Sequence, residues 1–266
     1  MTQGLLSRRI VQTPIAFDAA QGANAAGPFA DLSTAAQELI AGAAGCAPYL
    51  ADLIRLDPTF TRQCFLGVPE QLLDQIIDEV LQPEKTNAAH LRSAKRRAAL
   101  LIALCDLGGV WDVTQVTGAL SAFADACISA ALDHLITRAM DAGKIISGAG
   151  LFVLGLGKLG ARELNYSSDV DLVVFFDPDL FIALGSKSAT ERGVEIVQAM
   201  ARLLQDVTGD GYVFRVDLRL RPDPGAMPVA LSINAAETYY AGRGQVWERA
   251  AFIKARPVAG DLAAGK

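Results

Sequence analysis

Leu151-Phe152-Val153-Leu154-Gly155-Leu156-Gly157-Lys158-Leu159-Gly160 and, a short polar link later, Asp169-Val170-Asp171-Leu172-Val173-Val174-Phe175-Phe176 form the stretch on which the fold turns. Each part carries a short apolar run of strand length, the second β-branched and aromatic. The glycines satisfy G-x-G-x-x-G, and Asp177 stands where a dinucleotide-binding fold places its ribose-binding acid. Chain length argues against that reading. Only residues 161–169 lead from Gly160 to the next strand, whereas a parallel crossover wants a helix of roughly 10–12 residues. The second strand also opens with an Asp-x-Asp pair. Strand side chains alternate, so Asp169 and Asp171 project from one face. Two like charges a few ångströms apart raise each other's pKa or demand a cation.

Downstream, Ser188–Val207 has helical spacing, with Ile196, Ala199, Met200, Leu203, Leu204 and Val207 on one face. Gly209-Asp210-Gly211 signals a turn, and Tyr212–Leu220 alternates as a strand. Tyr212, Phe214, Val216, Leu218 and Leu220 are expected on a core face, with Arg215, Asp217, Arg219 and Arg221 opposite. A lone acid among arginines suits a structural ladder as well as a third site acid. After Pro222-Asp223-Pro224-Gly225 the pattern is mostly helical.

Upstream, alanine and leucine dominate, and helices are expected throughout. Residues 1–30, rich in Gly, Ala, Gln and Pro, read as a loose N-terminal arm. Residues 31–147 are expected to form a helical region packed on a second domain at 148–266, the domain that the resemblance below implies to be catalytic. Ser33 or Thr34 caps a helix through Ala44, Asp57-Pro58-Thr59 starts another, and Pro69-Glu70 opens a third. Further helices run from about Asn87 to Leu107 and from Asp112 or Thr114 to Gly143. The basic run Arg92, Lys95, Arg96, Arg97 suits a solvated face.

Composition excludes several classes. The chain is 52% apolar and 20% charged, with net charge −5 and no basic stripe, so nucleic-acid binding is not expected. No run suggests a membrane span or targeting segment, and a cytoplasmic setting follows as an expectation. Cys46, Cys64, Cys105 and Cys127 lack CxxC spacing and read as buried free thiols. His90 and His134 leave a zinc site or histidine triad poorly supplied.

Gly157-Lys158, ten residues, then Asp169-Val170-Asp171 resembles the signature of the polymerase-β-like nucleotidyltransferase superfamily. Lys158 departs from that pattern's usual Ser or Gly. The implied fold class is α+β, a small mixed sheet with a large helical N-terminal part. Asp169, Asp171 and Asp217 then become catalytic acids and ligands of Mg²⁺, in a two-metal site that clamps both ends of an in-line displacement. Gly155, Gly157, Lys158, Ser167 and Ser168 would cradle nucleotide phosphates, with Arg219 and Arg221 on phosphate oxygens.

Residues 155–172, Phe214–Pro222 and the block Trp247-Glu248-Arg249…Lys254-Ala255-Arg256 resemble the bacterial glutamine-synthetase adenylyltransferase family. The resemblance covers about residues 90–260. It implies a long chain with two such domains joined by a regulatory region. One half attaches AMP from ATP to a tyrosine of glutamine synthetase. The other removes it by phosphorolysis, releasing ADP, under control of a PII-type signalling protein. Position after Met1, the helices before the motif and Phe214-Arg215-Val216-Asp217 favour the removing, N-terminal half, truncated at its C-terminal end. Lys254 and Arg256 would reach the site, or else be solvated helix charges. Trp247 is expected to anchor packing, and Glu248 to orient an arginine.

Overall fold

The computed structural model describes residues 4–265. These divide into two compact units. One spans residues up to Glu79 together with Ser93–Leu120, and the other Val80–Arg92 together with Ser121 onward.

The first unit is helical. In chain order come α1 (Leu6–Arg9), α2 (Ala19–Ala26), α3 (Thr34–Cys46), α4 (Pro48–Leu56), α5 (Pro58–Leu66) and α6 (Pro69–Val80). α7 (Ala88–Leu107) and α8 (Val113–Asp141) contribute residues to both units. The starts are set by side-chain chemistry. Ser33 accepts the Ala36 N–H at 3.3 Å, and Asp57 accepts that of Phe60 at 2.9 Å, with Pro58 in the first turn.

Within the described residues 4–30 the expected loose arm carries helices instead, Leu6–Arg9 and Ala19–Ala26, with the first three residues lying outside the described ones. Leu6 is fully buried, Asp18 caps α2, and Gly22 is buried. A Cβ on Gly22 would stand 2.5 Å from the Ala41 carbonyl, and one on Gly42 2.1 Å from that of Pro14. The small residues serve close backbone approach rather than flexibility. Three thiols are buried as expected, but Cys46 is exposed. Burial pushes the Cys64 and Cys105 thiols far up.

α8 is long and apolar enough to cross a membrane by length and composition, and 67% of its most apolar window is buried within the protein.

In the second unit follow β1 (Leu151–Gly155), the single turn α9 (Gly157–Gly160), β2 (Val170–Phe176) and α10 (Ala189–Gln205). Then come β3 (Val216–Asp217), β4 (Ala230–Ser232), α11 (Ile233–Gly242), α12 (Val246–Ala251) and β5 (Arg256–Gly260). The sheet runs β3-β2-β1-β5, with β4 also on β2. β1 and β2 are antiparallel, Leu151 opposite Phe176 and Gly155 opposite Leu172. That geometry excludes the dinucleotide crossover. β3 and β4 lie parallel to β2, which makes the sheet mixed.

β1 is buried along its whole length, and β2 everywhere except Asp171. One face holds Phe152, Leu154, Val173, Phe175 and Leu231, against which Tyr240 and Phe252 pack. On the other, a Cβ on Gly193 of α10 would meet Ala230 at 2.9 Å and Phe176 at 3.9 Å. α10 begins with the reciprocal Ser188–Glu191 capping box and buries Ile196, Met200 and Leu204.

The strand expected over Tyr212–Leu220 shrinks to Val216–Asp217. The amides of Val213 and Phe214 both donate to the Leu204 carbonyl, at 2.9 and 3.0 Å. The Arg219 amide donates to the Asp217 carboxylate at 2.8 Å, bending the chain straight after β3. Burial of Val213 and exposure of Tyr212 break the expected alternation. Beyond Pro222, where mostly helix was expected, β4 and β5 complete the sheet. Three residues in β4 are too few to print a period, and Pro257 and Gly260 disguise β5.

Candidate active site

β2 opens with its acids at the end of the sheet where β1 delivers the glycine turn. In the parallel pairing of β2 with β3, Val170 stands opposite Val216 and Asp171 opposite Asp217. Residues paired in register share a face, so the two carboxylates are neighbours on one side of the sheet. Asp169, two residues before Asp171, adds the third acid there. Burial raises the Asp171 carboxyl above the ordinary carboxylate value, and the charges of Asp217 and Asp169 raise it further, against Arg219 and Lys158.

Gly157 meets this carboxylate directly. Its φ is +54°, and a Cβ there would lie 2.5 Å from the Asp171 Oδ2. Asp171 is also tied to the turn through its backbone, its carbonyl accepting the Leu156 N–H at 2.9 Å. α9 starts without a side-chain cap. The Lys158 ammonium donates to the Ser168 hydroxyl at 3.3 Å, and that hydroxyl donates to Asn165 Oδ1 at 2.8 Å. Asn165 Oδ1 also accepts the Ser167 amide at 3.2 Å. Gly155, Gly157, Lys158, Ser167 and Ser168 therefore come together beside the acids.

Arginines hold two of the three acids. Arg215 Nε donates to the Asp169 carboxylate, and its Nη2 to the Ser167 carbonyl at 2.6 Å. Arg219 chelates Asp217 through Nε at 3.0 Å to both oxygens and through Nη2 at 2.5 Å. This grip holds the Asp217 carboxyl below its usual value. Arg219 is 82% exposed and lies within the field of all three acids. Among the described residues, no group of three or more His, Cys, Asp or Glu side chains is arranged to hold a metal ion as it stands. The donor chemistry still fits a hard divalent cation, since three carboxylates share one face and one of them is half-buried among like charges.

The other expected cations stand differently. Arg221 gives its N–H groups to the carbonyls of Leu218, Pro224 and Met227 at 2.7, 2.8 and 3.2 Å, so it ties residues 218–227 together. Lys254 pairs with Glu163 at 2.8 Å. Arg256 lies in β5 opposite Gly155 and reaches Asp125 on α8 and the Leu159 carbonyl. It is thus no solvated helix charge. A Cβ on Gly160 would fall 2.0 Å from the Lys254 carbonyl, so this segment presses on the back of the glycine turn.

Trp247 is 54% exposed, so it is no buried packing anchor. Glu248 is buried and orients no arginine. It accepts the Tyr239 hydroxyl at 2.9 Å and the Gln245 amide at 2.7 Å, and burial, together with the bond to Glu248, raises the Tyr239 phenol. Sequence reading placed Arg215 on the face of Asp217 without giving it Asp169 as partner, and it missed Asn165, Ser121 and Asp125. For the last two a signal existed: polar residues one helical turn apart on an otherwise apolar helix.

The class follows from comparison with known proteins. The model of the glutamate-ammonia ligase adenylyltransferase family matches residues 37–266, and the chain belongs to that family. Among its relatives is the bifunctional glutamine synthetase adenylyltransferase/adenylyl-removing enzyme of Rhodopseudomonas palustris CGA009, 46% identical over 251 residues. That alignment covers 89% of this chain and 25% of the relative. The enzyme of the same description from Agrobacterium fabrum is 44% identical over 86% of the chain and 25% of its own length. For that of Rhizobium meliloti the values are 42%, 94% and 27%. The chain spans about a quarter of the length of these curated relatives.

Proposed function

We propose that this chain is a nucleotidyltransferase domain of polymerase-β-like fold that removes AMP from adenylylated glutamine synthetase by phosphorolysis. The observation that carries the reading is the pairing of Asp171 with Asp217 on one face, with Asp169 beside them and Gly157 against Asp171. In the reaction an oxygen of inorganic phosphate attacks the phosphorus of the adenylyl-tyrosine. The bond from phosphorus to the tyrosine oxygen breaks, the phenolate leaves, and AMP becomes ADP.

Asp169, Asp171 and Asp217 would hold Mg²⁺, which supplies neutralisation of phosphoryl charge along the line of displacement. Lys158 and Ser168, hydrogen-bonded to each other, offer donors to phosphate oxygens of the nucleotide. Arg219, exposed and next to all three acids, is placed to meet the attacking phosphate and to stabilise charge in the pentacoordinate state. Gly155 and Gly157 keep the turn close to the strand. Arg221, Lys254 and Arg256 act behind the site through the carbonyls and carboxylates they hold.

Relatives whose printed names carry both activities support glutamine synthetase as substrate. Removal is preferred to addition on the resemblance of Phe214-Arg215-Val216-Asp217 to the removing half. The setting would be cytoplasmic, with a PII-type protein acting on the longer enzyme and neither nucleic acid nor membrane involved.

Adenylylated glutamine synthetase incubated with this chain, Mg²⁺ and phosphate tests the proposal. ADP release that disappears in Asp171→Asn supports it. Incorporation of AMP from ATP into the unmodified enzyme reverses the direction. Neither activity, together with no Mg²⁺-dependent nucleotide binding, overturns the assignment.

A further inference from the structure

The link between the glycine turn and the acids is held to the turn only by local bonds, the Ala161, Arg162 and Glu163 amides donating to the carbonyls of Gly157, Leu159 and Lys158. Residues 161–169 include no strand, and Arg162 sits at φ 60°. Yet Leu159 is 1% exposed and Leu164 fully buried, so something fixes this link from beneath. α8 supplies the fixing points. Ser121, 1% exposed, accepts the Leu164 N–H at 3.2 Å. One helical turn later on the same face, Asp125 binds the Arg256 Nη2 at 2.9 and 2.8 Å, and the same nitrogen donates to the Leu159 carbonyl at 3.1 Å. Arg256 and Asp125 are 20% and 23% exposed, and the Arg256 Nε is buried without a partner. Arg256 therefore has one nitrogen of its fork, Nη2, committed to this bridge.

We propose that Ser121 and Asp125 of α8 are positioning residues for the nucleotide site, Ser121 by holding Leu164 and Asp125 by holding Arg256 against Leu159. The proposal rests on the functional reading above for its role in nucleotide binding, but the mechanical claim stands separately. Two struts one turn apart on a rigid helix clamp both halves of the segment that carries Gly157, Lys158 and Ser168. The turn is thereby placed against Asp171 before any nucleotide arrives, which lowers the ordering cost of binding.

Backbone hydrogen exchange of the whole chain, read by peptide, tests the clamp. Asp125→Asn keeps the shape of the side chain and removes its charge, and Ser121→Ala removes one acceptor. Each is expected to speed exchange across residues 156–164 by about tenfold, while peptides from β2 and α10 keep their rates. Arg256→Lys retains the charge but not the planar fork, and is expected to fall between parent and Asp125→Asn. Combining Arg256→Lys with Asp125→Asn should loosen the segment no more than Asp125→Asn alone, because the pair acts as one strut. The same variants should bind Mg·ADP, the product of the proposed reaction, about tenfold more weakly. Unchanged exchange over 156–164 in Asp125→Asn overturns the proposal, as does acceleration spread evenly through the chain. If Asp125→Asn does not fold, Ser121→Ala must show the local change alone. If the parent binds no nucleotide while the local loosening occurs, the functional reading fails and the clamp stands. If the parent binds and the loosened variants bind equally well, the positioning role is wrong.

Discussion

Two stretches bring acids to the site, and they do so by different means. β2 is a seven-residue strand paired on both edges, so Asp171 inherits its direction from a backbone ladder. The stretch Tyr212–Arg221 contains only two strand residues. Asp217 is aimed there by side-chain bonds: Arg219 closes on it from two residues downstream, and Arg221 ties off the loop beyond. One acid is placed by the sheet and the other by local polar contacts on a sheet edge. The difference predicts that Asp171 is hard to move and easy to crowd, whereas Asp217 follows its arginines.

Under the proposed function Asp171→Asn should have the largest effect, a drop in ADP release on the order of a thousandfold, because a carboxylate that would hold Mg²⁺ is lost at a site that cannot rearrange. Initial-rate measurements check it. Next comes Gly157→Ala. Its Cβ would stand 2.5 Å from Asp171 Oδ2 at a positive φ, and it is expected to cost about 1–3 kcal/mol in urea unfolding and to lower activity. Arg221→Met should unfasten the 218–227 loop by removing donors from three carbonyls. A loss of about 1–3 kcal/mol is expected, with activity falling through Asp217 and not through weakened phosphate binding. A rise in KM for phosphate with unchanged kcat would instead restore Arg221 to the phosphate site. Tyr239→Phe leaves the buried Glu248 short of one donor and should cost about 1–2 kcal/mol, with no change in Mg²⁺ affinity.

The smallest effect concerns pH. Burial, Asp217 and Asp169 raise the Asp171 carboxyl, so the folded chain holds a proton that the unfolded chain has released. Stability without divalent cation therefore falls as pH rises from the ordinary carboxylate value through the raised one. Asp171→Asn, expected to lose most activity, should melt slightly higher than the parent at neutral pH in chelator, and equally below pH ~3. Thermal scans at the two pH values read this directly.

The parts legible in sequence were those with a strong period or a length constraint. Leu151–Leu154 is a fully buried run and Val170–Phe176 is buried except at Asp171, and the short link between them forbade a parallel crossover, as the antiparallel register bears out. Helix starts at Ser33, Asp57 and Ser188 were legible because capping needs a particular oxygen at a particular offset. Alternation over Tyr212–Leu220 misled, since the period is common to strands and to bent segments whose amides go to a helix end such as Leu204. Glycine and alanine near the N-terminus looked loose because composition does not distinguish flexibility from backbone contact. Arg221 and Arg256 looked like phosphate ligands because the same fork that grips phosphate also grips carbonyls and carboxylates. Their acceptors are contributed by residues from 3 to 131 positions away.

Manganese titration followed by electron paramagnetic resonance addresses the shared-face carboxylates most directly, with Mn²⁺ standing in for Mg²⁺. The parent chain should bind the ion saturably. Asp169→Asn, Asp171→Asn and Asp217→Asn should each weaken binding at least about tenfold, and Arg219→Met should tighten it by releasing Asp217. Binding that survives removal of Asp171 or Asp217 unchanged would contradict the account.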